Sequence, residues 1–172
     1  MASLMENLID ILEKENEEYI ALTEISKEKT PILIKGDLDA LNVITEKEQV
    51  VVARIQNLEK KRITVMKDIS EVTNRRGEEL KLPELIKLME NRPKERNALT
   101  RIHDRLKTTL DGIKLINNQN RELIQSSLEM VEFEMNMLQS LRRAPETADY
   151  NKGAINTGNT YGSGTKRFDS KS

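Results

Sequence analysis

The sequence predicts an all-α protein, an elongated antiparallel three-helix bundle with coiled-coil packing and a disordered C-terminal tail. Three observations carry this. First, Leu41, Ile44, Glu48, Val51, Ile55, Leu58, Arg62, Val65, Ile69 and Val72 follow one another at alternating steps of three and four, and eight of the ten are apolar in a chain that is 37% hydrophobic. A mean step of 3.5 keeps one stripe on one face of a long helix. Second, a similar stripe runs from Leu99 to Leu141. Third, charged residues make up 33% of the 172 residues and aromatics 3%, a composition suited to long helices rather than a thick globular core.

The first helix is predicted over about residues 3–34. Ser3 and Glu6 form a capping-box pattern at its start, and Met5, Leu8, Leu12, Tyr19 and Leu22 form its seam, interrupted by Glu15. Pro31 removes a helical N–H and crowds the Lys27 carbonyl, so a kink or an end is expected there. Gly36 suits the left-handed residue after a helix and Asp37 the N-cap of the next. So short a connection makes the first two helices antiparallel neighbours. The second is predicted over about 38–75, with Gly77 ending it. Pro83 is placed to open a short helix over 83–90, and Pro93 to open the last long helix, 93–142.

A hairpin of the first two helices buries too little to offset the entropy of ordering it. The third stripe supplies the missing partner; two hairpins dimerising into a four-helix assembly is the alternative. Four polar residues interrupt the seams: Glu15, Glu48, Arg62 and Asn120. They fit either side chains snorkelling at the rim of a thin bundle or register control. Folding the chain about Gly36 places residue 15 opposite about residue 57, within about one turn of Arg62.

The bundle occupies residues 1–142 and the tail 143–172. The tail is rich in Gly, Asn, Thr and Ser and has no apolar period, so it is expected to be disordered in isolation. It nevertheless holds Tyr150, Tyr161 and Phe168, three of the five aromatics.

Several function classes are set aside. With 28 basic and 29 acidic residues, the chain has no electrostatic signature of nucleic-acid binding. No apolar run is long enough to span a membrane, and the acidic amphipathic N-terminus is unlike a signal peptide. The absence of Cys excludes disulfides and thiolate metal sites. The single histidine, His103, reads as a solvated helix-side residue without partners for a metal site or a triad. Gly162–Ser163–Gly164–Thr165–Lys166 resembles a phosphate loop only faintly, failing on spacing and context. No enzyme and no cofactor is expected, and the cytoplasm is the simplest location.

Two features remain as binding candidates. Met130, Met135 and Met137, with Phe133, Leu138 and Leu141, put adaptable apolar side chains on more than one face of the last helix; the plainer reading is bundle core. The tail aromatics Tyr150, Tyr161 and Phe168 are anchors of the kind that fold on a partner; the plainer reading is an inert tail.

The whole chain resembles the FlgN-type flagellar export chaperones. The matching stretches are Lys35–Gly36–Asp37–Leu38–Asp39–Ala40–Leu41, Glu46 to Gln49, Leu58–Glu59–Lys60–Lys61–Arg62, the Asn-rich Asn117, Asn120, Arg121, Glu122, Leu123 and Ile124, and Thr160–Tyr161–Gly162–Ser163–Gly164. Pro31 departs from the family's uninterrupted first helix. The resemblance implies a cytoplasmic, non-enzymatic chaperone for hook–filament junction (hook-associated) proteins. Such a chaperone binds the clients' terminal amphipathic helices, prevents premature assembly and delivers them to the export gate, with its client-binding region toward the C-terminus. On this reading Met130, Phe133, Met137, Leu138, Leu141 and the tail aromatics face the client, and the free protein is a monomer or weak homodimer. A structural coiled-coil adaptor without a client is the alternative.

Overall fold

The structure, a computed structural model, describes residues 2–75 and 80–143. Four helices follow in chain order: α1 (Ala2–Lys35), α2 (Leu38–Val72), α3 (Leu82–Leu88) and α4 (Pro93–Arg143). The chain divides into two units, Met1–Gln125 and Ser126–Ser172, and α4 contributes to both.

In the first unit, α1 and α2 form an antiparallel hairpin. Four polar pairs cross between the two helices: Lys29 with Glu48, Tyr19 Oη donating to Glu59 Oε1 at 3.1 Å, Arg62 Nε donating to Glu15 Oε1 at 3.0 Å, and Arg54 with Glu18 at 3.5 Å. The first three fold about residues 38–39 and Arg54–Glu18 about residue 36, so the pivot lies at or slightly beyond the Gly36 expected from the sequence. α4 then runs beside α1 in the same direction, because Asn16 meets Thr109, Ser26 meets Asn117 and Thr30 meets Asn120. The three long helices therefore go up, down and up, each antiparallel to the long helix before it.

The turns follow from residue chemistry. Gly36 adopts φ +67°; its N–H donates to the Leu33 carbonyl and that of Asp37 to the Ile32 carbonyl, at 3.2 and 3.3 Å, a Schellman closure. Asp37 Oδ1 then accepts from the Ala40 N–H at 3.0 Å and caps α2, as expected. α2 ends the same way, but on Asn74, whose φ is +59°. The Asn74 N–H donates to the Glu71 carbonyl and the Arg75 N–H to the Ser70 carbonyl. The helix therefore closes before Gly77, which lies outside the described residues.

One expectation for α1 is corrected, and at Pro31 one of two alternatives, the end, is removed. The helix starts at Ala2, so Ser3 is already inside it and is not its N-cap. It also continues through Pro31 to Lys35. Contacts flank the proline on both sides, with Thr30 bonded to Asn120 and Leu33 buried, so tertiary packing offsets the one lost hydrogen bond.

The main core lies where four helices meet. Met5, Leu8, Ile11 and Leu12 of α1 pack with Val65, Met66 and Ile69 of α2, with Leu85 and Met89 at α3, and with Leu99, Ile102 and Leu106 of α4. The short α3 is thus a structural element, its Leu85 fully buried. Its first turn is held by Glu84, whose carboxylate accepts from the Lys81 N–H at 3.3 Å.

Of the polar seam residues, Glu15 and Asn120 sit inside, whereas Glu48 and Arg62 are half-buried at the rim. Glu15, Asn16, Ser26 and Asn120 are all buried. Asn120 accepts from Thr30 Oγ1 at 2.7 Å and donates through Nδ2 to the Ser26 carbonyl at 2.9 Å. Burial pushes the Glu15 carboxyl upward, and Arg62 opposes that shift. Burial and the neighbouring Glu59 raise the Tyr19 hydroxyl to about 12.

Candidate functional site

The 51-residue α4 is built on a heptad repeat. One seam position recurs as Leu99, Leu106, Ile113, Asn120, Ser127, Glu134 and Leu141, and the other as Ile102, Thr109, Ile116, Leu123, Met130 and Met137. Through Asn120 the first set is buried, whereas Ser127, Glu134 and Leu141 are exposed. In the second set Ile102 is buried, Thr109, Ile116 and Leu123 are half-buried, and Met130 and Met137 are exposed. The periodicity that builds the core thus persists where the side chains are uncovered.

In the second unit the helix displays Leu128, Met130, Val131, Phe133, Met135, Met137, Leu138 and Leu141, each between 55% and 68% exposed. At 3.6 residues per turn these eight side chains cover an arc of about 220°. A helix that packs against one neighbour needs a stripe little wider than about 100°. Leu128, Val131, Met135 and Leu138 make one stripe; Met130, Phe133, Met137 and Leu141 make the other. The remaining arc carries Glu129, Glu132, Asn136, Gln139 and Ser140. An ordinary monomer's largest apolar patch is about 300–600 Å², and patches of that size and above mark interaction surfaces. The core reading of these residues is therefore replaced by an exposed apolar surface. It combines unbranched, pliable methionines with an aromatic ring and aliphatic side chains.

Of the residues singled out from the sequence, Met130, Phe133, Met137, Leu138 and Leu141 stand together on this one helix. Tyr150, Tyr161 and Phe168 lie outside the described residues, as does the stretch Gly162–Lys166. Leu128, Val131 and Met135 belong to the surface too; each directly follows a seam position (Ser127, Met130 and Glu134) and widens the stripe. Asn117 and Asn120 of the Asn-rich stretch serve internally, fastening α4 to α1.

His103 Nδ1 lies 3.3 Å from Asp104 Oδ1 on a partly exposed helix side. Among the described residues no cluster of three or more His, Asp or Glu is placed to hold a metal ion. No described helix is long and apolar enough to cross a membrane.

The profile of the FlgN protein family matches residues 1–164. The chain belongs to the FlgN family. This is a family of non-enzymatic flagellar export chaperones for hook-associated proteins. For this FlgN-family member the match takes in all four helices and most of the tail. No curated protein and no solved structure matches the chain.

Proposed function

We propose that this chain acts in the cytoplasm as the export chaperone of a hook-associated protein and receives a terminal amphipathic helix of that client on the apolar arc of α4 between Leu128 and Leu141. The observation that carries the reading is that eight large apolar residues, on and beside the heptad seams of one helix, are exposed together. A helix-in-groove contact hides the client's own apolar face, which would otherwise be free to assemble too early. Tyr150, Tyr161 and Phe168 add contacts from the tail, either to the client or to the export gate. Wrap-around binding of this kind suits a handover, because affinity gained by ordering a segment is partly spent on that ordering. The free protein is a monomer or weak homodimer.

The test uses the full-length chain and a hook-associated protein of the same organism. Met130→Asp and Met137→Asp should abolish the complex in light scattering, and deletion of residues 143–172 should weaken it. A constitutive oligomer that ignores the client would instead favour the structural adaptor.

A further inference from the structure

Glu134 interrupts the exposed seam at its centre. On a helix, residues three and four apart are surface neighbours. For Glu134 these are Met130, Val131, Met137 and Leu138, all apolar and all more than half exposed. The other charged residues between Ser127 and Leu141, Glu129 and Glu132, lie on the far, polar arc. Any helix that covers the seam therefore also covers the Glu134 carboxylate. A carboxylate taken out of water must be paired or hydrogen-bonded, or its desolvation subtracts on the order of several kcal/mol from what the apolar contact contributes.

The molecule solves the same problem within its own fold. Glu15 interrupts the α1 seam beside Ile11, Leu12 and Tyr19 and is 3% exposed. The antiparallel α2 answers with an arginine at a seam position, Arg62, whose Nε lies 3.0 Å from Glu15 Oε1. A polar residue at one seam position selects partner and register, because misaligned pairings leave it unanswered.

We propose that Glu134 is a specificity-determining residue, and that the helix docking on this seam is an amphipathic helix whose apolar stripe is interrupted by a single lysine or arginine facing Glu134. This rests on the client-binding reading above and adds the chemistry by which the client helix is selected. Charge argues against the other occupants. A second copy brings its own Glu129, Glu132 and Glu134, and its nearest cation on the same arc, Arg142, lies about two turns from Glu134. A lipid surface selects helices lined with Lys and Arg, and this stretch has neither before Arg142.

The experiment is calorimetric titration of the full-length chain with a full-length hook-associated protein of the same organism. Glu134→Lys should weaken binding at least tenfold and Glu134→Gln less. Converting each Lys or Arg of the client's terminal segments to Glu, one at a time, should yield one client that binds the wild type poorly and Glu134→Lys well. Wild-type affinity for Glu134→Lys, while Met137→Asp abolishes binding, overturns the role of Glu134 and leaves the docking surface standing. The same holds if no client reversal restores the Glu134→Lys complex. Undiminished binding by Met137→Asp overturns the client-binding reading itself. A wild-type dimer that Met137→Asp dissociates assigns the face to a second copy and overturns the proposal. So does tighter, Glu134-independent binding after deletion of residues 144–172, which assigns the face to the tail.

Discussion

Burial pushes the Glu15 carboxyl above its ordinary value of 4.5, and Arg62 supplies the charge that opposes the shift. A carboxyl raised in the folded state holds its proton more tightly there than in the unfolded chain. Its contribution to stability is therefore complete below about the ordinary value and is lost as pH rises through the folded value. Above that window the ionised group is tolerated because Arg62 is present. Arg62→Met should destabilise the fold at pH 7.5 by about 1–3 kcal/mol, less than a fully buried pair because the Arg62 side chain is 35% exposed. The deficit should shrink on acidification to about pH 5, as the unpaired Glu15 takes up a proton. Urea unfolding at the two pH values checks this; an equal deficit at both would show that Glu15 ionisation is not what the substitution exposes. This pair was legible as a possibility, because both residues break an apolar ladder. Its register was legible to about one turn, since Lys29–Glu48, Tyr19–Glu59 and Arg62–Glu15 fold the hairpin slightly beyond the glycine while Arg54–Glu18 folds it at the glycine.

Helix ends show where local chemistry suffices and where it does not. Gly36 is legible because few other residues accept its φ, and an added Cβ there meets nothing within 4 Å. Gly36→Ala should therefore cost about 1 kcal/mol through backbone conformation alone. At Asn74 the reverse change applies: Asn74→Gly should leave stability unchanged or raise it by a few tenths of a kcal/mol up to about 1. Thermal unfolding of the two variants tests the pair together. Gly77 was the stronger sequence signal for the end of α2, but Asn also tolerates the left-handed region and comes first along the chain. At Pro31 the sequence allowed a kink or an end, and the end does not occur: Thr30 bonds to Asn120 and Leu33 is buried, so the helix continues. The clasp between α1 and α4 is testable in the same way. Asn120→Ala removes one partner each of Thr30 Oγ1 and the Ser26 carbonyl, which keep their own 3.3 Å bond to each other, and should cost about 0.5–1.5 kcal/mol, measured by denaturant unfolding.

For the whole molecule, stability and client binding should be separable. The core gathers Met5, Leu8, Ile69, Leu85, Leu99 and their neighbours, and the exposed seam residues from Leu128 to Leu141 contribute nothing to it. Met130→Asp and Met137→Asp should therefore leave the melting temperature within about 2 °C of wild type, a shift that corresponds to a fraction of a kcal/mol, while client capture is lost. Differential scanning calorimetry beside a client pull-down reads both. The apolar stripe of α4 was visible in the sequence as far as Leu141, but its exposure was not. Periodicity states which residues share a face and is silent on whether that face is covered. The tail aromatics carry no period, so spacing alone assigns them no place in a site.

The sulfur chemistry of the chain divides along the same line. With no cysteine and seven methionines, thioethers are its oxidisable sulfur. Met5, Met66 and Met89 are buried, whereas Met130, Met135 and Met137 are more than half exposed. Oxidation to the sulfoxide turns an apolar, pliable side chain into a polar one. Mild peroxide should modify Met130, Met135 and Met137 well before the buried three, as read by peptide mass spectrometry, and should lower client affinity before the fold is disturbed. Equal modification of both groups would contradict the exposures. Oxidative stress would therefore silence the docking face while leaving the protein folded, and reduction of the sulfoxides would restore it without new synthesis.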